Sequence, residues 1–242
     1  MLINKDMKMV EVIHMNHHLL HVINRFGIQL GFGEKSVEAV CKEHQVDLNF
    51  FLDLINTYHN RSYFPLQNLL KIKASMLVDY LHKTHQYYLE FKVPEIESYI
   101  DRLLSDNVLE EESKQLLSDF FQQYKAELTQ HIQIEETRVY PYAIALEKYL
   151  KQKISKEELT GYLKKYSIAE YEEEHGDIEE KLFDLKNIII KYLPAPRDSR
   201  LLNVILHDLF ELELDLNNHC HIENMILVPI VEEMEKALSE TP

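Results

Sequence analysis

The chain has 242 residues, a formal net charge of −15, and only five glycines and seven prolines. So few breakers among many Leu, Glu, Lys and Tyr residues point to an all-α protein, with chain enough for one large domain or two smaller ones. The charge excludes nucleic acid and an anionic membrane surface as partners, because both need a basic face.

No stretch approaches the roughly 18 unbroken apolar residues of a membrane span. The opening MLINKDMKMVEVIHMNHH carries charges and histidines where a signal peptide needs an apolar run. Cys41 and Cys220 do not make a disulfide framework. The expected compartment is the cytoplasm.

Residues 7–26 read as one helix with Val10, Ile13, Leu20, Val22 and Ile23 at apolar positions. It carries His14, His17, His18 and His21 at i, i+3, i+4 and i+7. These would give a second metal or haem site only with help from a Cys or an acidic residue, and none shares their face. A solvated face or a domain interface is the better reading. Gly27, Gly31 and Gly33 then permit tight turns. Ser36 caps a short helix to about residue 44, and Asp47 caps the next, through Phe50, Phe51, Leu54 and Ile55. His59-Asn60-Arg61-Ser62 is the expected linker, closing a small helical domain over 1–62.

Residues 63–242 read as a four-helix bundle, with helices near 66–106, 110–150, 165–193 and 198–238. Pro94 should bend or break the first. Pro141 and Pro229 should kink or end the second and fourth, and Pro194-Ala195-Pro196 should stop the third.

The bundle carries the most specific signal in the chain. His131-x3-Glu135-x5-Pro141 recurs as His219-x3-Glu223-x5-Pro229. A spacing of four puts His and Glu one turn apart on one helical face. That face is apolar: Tyr124 and Leu128 precede the first pair, and Leu212 and Leu216 precede the second, at matching intervals. Inward carboxylates need a partner charge, and a metal cation supplies it. His82, on a stripe with Val78, His85 and Leu89, and His175, on one with Ile168, Tyr171, Ile178 and Leu182, complete the set. His85 shares the stripe of His82 and is its rival. The gaps from His82 to His131 (49 residues) and from His175 to His219 (44 residues) each suit an antiparallel helix pair.

The proposed ligands are therefore His82, His131, Glu135, His175, His219 and Glu223. Four imidazoles and two carboxylates suit two iron ions, or manganese, better than a thiolate-seeking metal. Both glutamates would span the pair and leave an open position at each ion. Glu136, Tyr140 and Asn224 are candidates to orient the ligand imidazoles.

These residues resemble the hemerythrin-like di-iron fold, and more closely the iron–sulphur cluster repair di-iron family, in which a short helical N-terminal domain precedes a hemerythrin-like bundle. The matching stretches are Tyr80-Leu-His-Lys-Thr-His85, His131-Ile-Gln-Ile-Glu-Glu-Thr-Arg-Val-Tyr-Pro141, Glu173-Glu-His175 and His219-Cys-His-Ile-Glu-Asn-Met-Ile-Leu-Val-Pro229, with a looser match over Asn24–Lys35. The resemblance implies the same six iron ligands, with both glutamates bridging. It also implies iron donation or NO and O2 chemistry on damaged iron–sulphur proteins under stress. One departure stands out: Gly31-Phe32 occupies the place of the family's Cys-Cys pair, and Cys41 is no obvious replacement. Without that pair the N-terminal domain reads as a packing or dimerisation element. The alternative is a module that binds O2 or NO, or senses iron or redox state, without turnover. A helical interaction protein holding no metal is the third reading.

Overall fold

What the periodicity offers as one helix over 7–26 is two in the computed structural model, which describes residues 1–60, 62–63, 72–105, 109–163, 176–193 and 199–239 (backbone alone at 163, 176–179 and 239). Helices α1 (Met9–Met15) and α2 (Leu19–Arg25) part at Asn16, whose backbone is extended. The Asn16 side chain accepts from the His18 N–H at 3.2 Å, a local bond that competes with helix. The break disperses the four histidines. His14 and His17 are exposed, whereas His18 and His21 are half-buried against the bundle.

Gly27, Gly31 and Gly33 all have positive φ, at 75°, 106° and 58°, so this turn needs glycine. It leads to α3 (Val37–Glu43) and α4 (Leu48–His59). Both are capped as expected: Ser36 Oγ accepts from the Ala39 N–H at 3.3 Å and Asp47 Oδ1 from the Phe50 N–H at 2.9 Å. The stretch expected as linker begins inside α4, which runs to His59.

The bundle is built from four rods. Rod one joins α5 (Ala74–Gln86), π1 (Tyr87–Lys92) and α6 (Val93–Leu104). Rod two joins α7 (Glu111–Ile134), π2 (Glu135–Val139) and α8 (Tyr140–Leu150). A short helix absent from the expectation, α9 (Lys156–Leu163), packs against α8. Rod three is α10 (Gly176–Lys191). Rod four joins α11 (Ser199–Ile222), π3 (Glu223–Leu227) and α12 (Val228–Ser239). Helix α5 packs on α8, and α6 on α7 and α11. Helix α10 lies on α7 and α11, and α12 on α8. Rod one thus runs antiparallel to rods two and four. His175 and Pro194–Pro196 lie outside the described residues.

The prolines do not break their rods. Pro94, Pro141 and Pro229 each stand two residues beyond a π segment, at the start of the next α-helix. Proline lacks an N–H and its ring crowds the carbonyl four residues back. A wider turn, bonded i to i+5, relieves that conflict and lets the rod continue.

Two apolar clusters divide the interior. The lower one combines α1–α4 with Leu77, Leu81, Tyr140, Leu146, Ile226, Val231 and Leu159 of α9. The upper one includes Tyr88, Ile96, Tyr124, Leu128, Leu185, Leu209 and Leu216. Helices α1–α4 thus share their core with the lower bundle. Among the described residues there is no strand, only an isolated bridge between Lys8 and Ser36. No described helix is long and apolar enough to cross a membrane.

Candidate metal centre

Between the two apolar clusters lies a layer of polar groups. His85, Glu135, His219 and Glu223 are all buried, and one ligand atom from each lies within 4.8 Å of the others. The local sequence explains the convergence. Glu135 and Glu223 are the first residues of π2 and π3, so each carboxylate stands where the helix widens and one turn after its histidine. Such π turns recur at functional sites.

Glu135 faces two ways. Its Oε2 is 3.1 Å from His85 Nε2, and its Oε1 is 3.0 Å from His131 Nε2. On the other side, His219 Nε2 is 3.3 Å from Glu223 Oε2. Tyr140 donates its hydroxyl to Glu223 Oε1 at 2.6 Å, and its ring stacks on His85 with centroids 5.3 Å apart.

The structure separates the two rival histidines of α5. His82 is not in this cluster: its side chain is 47% exposed and its Nδ1 donates to Glu136 Oε2 at 2.9 Å. His85, 2% exposed, stands in the cluster instead. The buried face of α5 runs through Leu77, Leu81 and Thr84 and continues to Tyr88 in π1. At about 100° per residue, His82 falls well round from Leu81, whereas His85 stays within the face. Val78 marks only the edge of that face, and a step of four from it leads outwards. His131 lies beside Glu135 with 12% of its side chain exposed.

The flanking residues named from sequence also divide. Glu136 accepts from His85 Nδ1 at 2.7 Å, which fixes the ring and turns its Nε2 to the cluster. Tyr140 holds a carboxylate as well as stacking on an imidazole. Asn224 is exposed and takes no such part. His219 Nδ1 is buried with no hydrogen-bond partner among the described residues.

The electrostatics follow from the crowding. Burial alone would lower the His85 pKa, but hydrogen bonds to Glu135 and Glu136 outweigh it and hold the group up at about 9. Burial would raise the Glu136 carboxyl, yet the imidazoles of His85 and His82 keep it below its ordinary range. Without a cation, therefore, a proton on His85 serves as the counter-charge to the carboxylates.

The donor set fits a metal. His85 Nε2 and His219 Nε2 face one another at 3.0 Å, too close for two nitrogens without a proton or cation between them. Donors about 2.1 Å from one ion and at right angles to each other are separated by about 3 Å. Nitrogen and carboxylate oxygen without thiolate is a borderline-to-hard set.

The signature of the hemerythrin HHE cation binding domain matches residues 76–231, a span that begins in α5 and ends in α12. The iron–sulfur cluster repair protein ScdA of Staphylococcus haemolyticus is 20% identical over 207 residues, covering 85% of this chain and 89% of its own length. That relationship extends beyond the bundle into the N-terminal helices.

Proposed function

We propose, since this chain belongs to the hemerythrin HHE cation binding family, that its centre holds two iron ions and serves in the repair of damaged iron–sulphur clusters under nitrosative or oxidative stress. The observation that carries the metal reading is the convergence of His85, Glu135, His219 and Glu223 in a buried layer. His85 and His219 would hold one ion. His131 would hold the other with His175, which the sequence alone assigns. Glu135, with one oxygen toward His85 and the other toward His131, would span the pair, as would Glu223 from rod four. Manganese fits the same donors.

Iron, when bound, supplies one-electron redox chemistry and a coordination position open to NO or O2. The protein's own contribution is orientation and exclusion of water. Glu136 fixes the His85 ring, Tyr140 fixes the Glu223 carboxylate, and the apolar clusters above and below keep the layer dry. Damaged iron–sulphur proteins are the proposed partners, as the name of the Staphylococcus relative indicates for that protein. The cytoplasm, where such clusters are exposed to NO, is the proposed compartment.

A second reading has its own observation. The family's Cys pair is replaced by Gly31-Phe32, and Cys41 is buried with its thiol pushed up to about 12 by burial and the nearby Asp47 charge. A thiol held protonated neither ligates iron nor accepts a nitrosyl group. Loss of that function favours reversible O2 or NO binding, or sensing, without turnover. Iron and manganese quantification, with a cluster-reconstitution assay on a damaged hydratase and an NO-reduction assay, separates the readings. Restored hydratase activity supports repair. Tight NO or O2 binding with activity in neither assay supports the sensor, and absence of bound metal removes both.

A further inference from the structure

His85 is oriented by an acceptor at its Nδ1, but His219 has no such partner among the described residues. Something else must hold its ring. Tyr88 meets it edge-on, with centroids 5.9 Å apart and planes at 80°. Asp215 stands one turn earlier on α11, on the same side of the helix. Both groups lead to one residue of the N-terminal unit.

That residue is Arg25, at the end of α2, with 4% of its side chain exposed. Its guanidinium grips Asp215 with two nitrogens, Nη1 donating to Oδ1 at 3.0 Å and Nη2 to Oδ2. Nη1 also reaches the hydroxyls of Tyr58 at 3.2 Å and Tyr80 at 3.4 Å. Its carbon lies 5.4 Å from the Tyr87 ring centre and 5.7 Å from that of Tyr88. A planar, five-donor cation meets all these demands together, and a lysine does not. One turn before Asp215, Glu211 accepts from His18 Nδ1 at 2.9 Å. Beside them the His21 ring packs on Tyr87 at 5.2 Å. Burial would raise the Asp215 carboxyl, but the charge and hydrogen bonds of Arg25 hold it below its ordinary range, so the pair is ionised and locked.

We propose that Arg25 is a positioning residue for His219, acting through Asp215 and through Tyr88, and that helix α2 forms a working wall beside the metal centre. The inference rests on His219 being a metal ligand, as proposed above. It gives the N-terminal unit a task that needs no cysteine.

The test uses the full chain as wild type, Arg25→Met, Arg25→Lys, Asp215→Asn and Ile23→Val. The last trims the core of α2 without touching the pair and controls for stability alone. Each is loaded with Co(II), whose visible bands report ligand geometry, and with Fe(II). Release to a chelator is timed well below the unfolding temperature of every variant. Arg25→Met and Asp215→Asn should release metal about tenfold faster, the usual lower effect of losing support behind a ligand, and should shift the Co(II) bands. Arg25→Lys should recover part of the loss, and Ile23→Val should match wild type. If Arg25→Met does not fold, Asp215→Asn, which keeps the side-chain shape, decides by the same readouts. Wild-type rates and bands in the folded variants, or equal acceleration in Ile23→Val, would overturn the proposal while leaving the metal centre intact. A wild-type protein that binds neither Co(II) nor iron overturns the metal reading, and this inference with it.

Discussion

Replacing His85 and His82 in turn by alanine distinguishes the buried imidazole from the exposed one. In the metal-free protein His85 is the proton-bearing counter-charge to Glu135 and Glu136, with its pKa held at about 9. A rise from the ordinary histidine value near 6.5 corresponds to about 3 kcal/mol, in line with about 3–5 kcal/mol for stripping one partner from a buried charge pair. For a chain of this size that lowers Tm by roughly 6–20 °C. Since the folded-state pKa is raised, this stabilisation is complete below about pH 6.5 and is lost as pH climbs through about 9. The Tm difference between metal-free wild type and His85→Ala should shrink across that window. His82, in a half-exposed pair with Glu136, contributes about 0–1 kcal/mol, and His82→Ala should keep its metal. Scanning calorimetry from pH 6 to pH 10, with metal quantification, reads all of this. Metal lost from His82→Ala but kept by His85→Ala would refute the assignment, as would a His85→Ala deficit that widens with pH.

Three more outcomes follow from the same geometry. Glu136→Leu removes the acceptor that orients His85 and should weaken metal binding by about 10- to 100-fold, measured by chelator competition; unchanged affinity contradicts that role. Glu135→Ala and Glu223→Ala should each lose at least one metal equivalent and destabilise the bundle, because like or unpaired groups stay buried; full metal content in both would count against spanning carboxylates. Cys41→Ala and His14→Ala should leave metal content unaltered, and Cys41→Ala should also leave any repair or NO activity as it was; a lost metal equivalent in His14→Ala would reveal an N-terminal site.

The repeated His-x3-Glu motif was legible because both copies continue apolar stripes of period 3.6, and burial of Glu135, His219 and Glu223 follows from that alone. The choice between His82 and His85 was not, since Val78 marks only the edge of the buried face. The true centre of the face, at Leu81 and Thr84, includes a threonine that apolar counting passes over. The break at Asn16 hides in an otherwise good helical pattern, because an Asx bond to His18 is a local competitor that periodicity does not register. Helix α9 did carry a signal. Ser155 and Glu158 form a reciprocal capping box, with bonds of 2.8 and 3.2 Å, and the Ser-x-x-Glu spacing is visible in the chain. The Glu-x5-Pro tail of each motif marks a π turn. The grip of Arg25 on Asp215 spans 190 residues, and no local pattern announces it.

The polar layer at mid-bundle has a consequence for how the molecule melts. It parts the interior into two oily compartments that adjoin through ionisable groups, so cohesion across the midplane depends on what neutralises them. A cation held by His85, Glu135, His219 and Glu223 would tie three rods together there, and unfolding of the loaded protein is expected to be a single cooperative event. In the metal-free protein that tie rests on the His85 proton instead, so amide exchange along π2 and π3 is expected to quicken first once a chelator is added and the pH is raised.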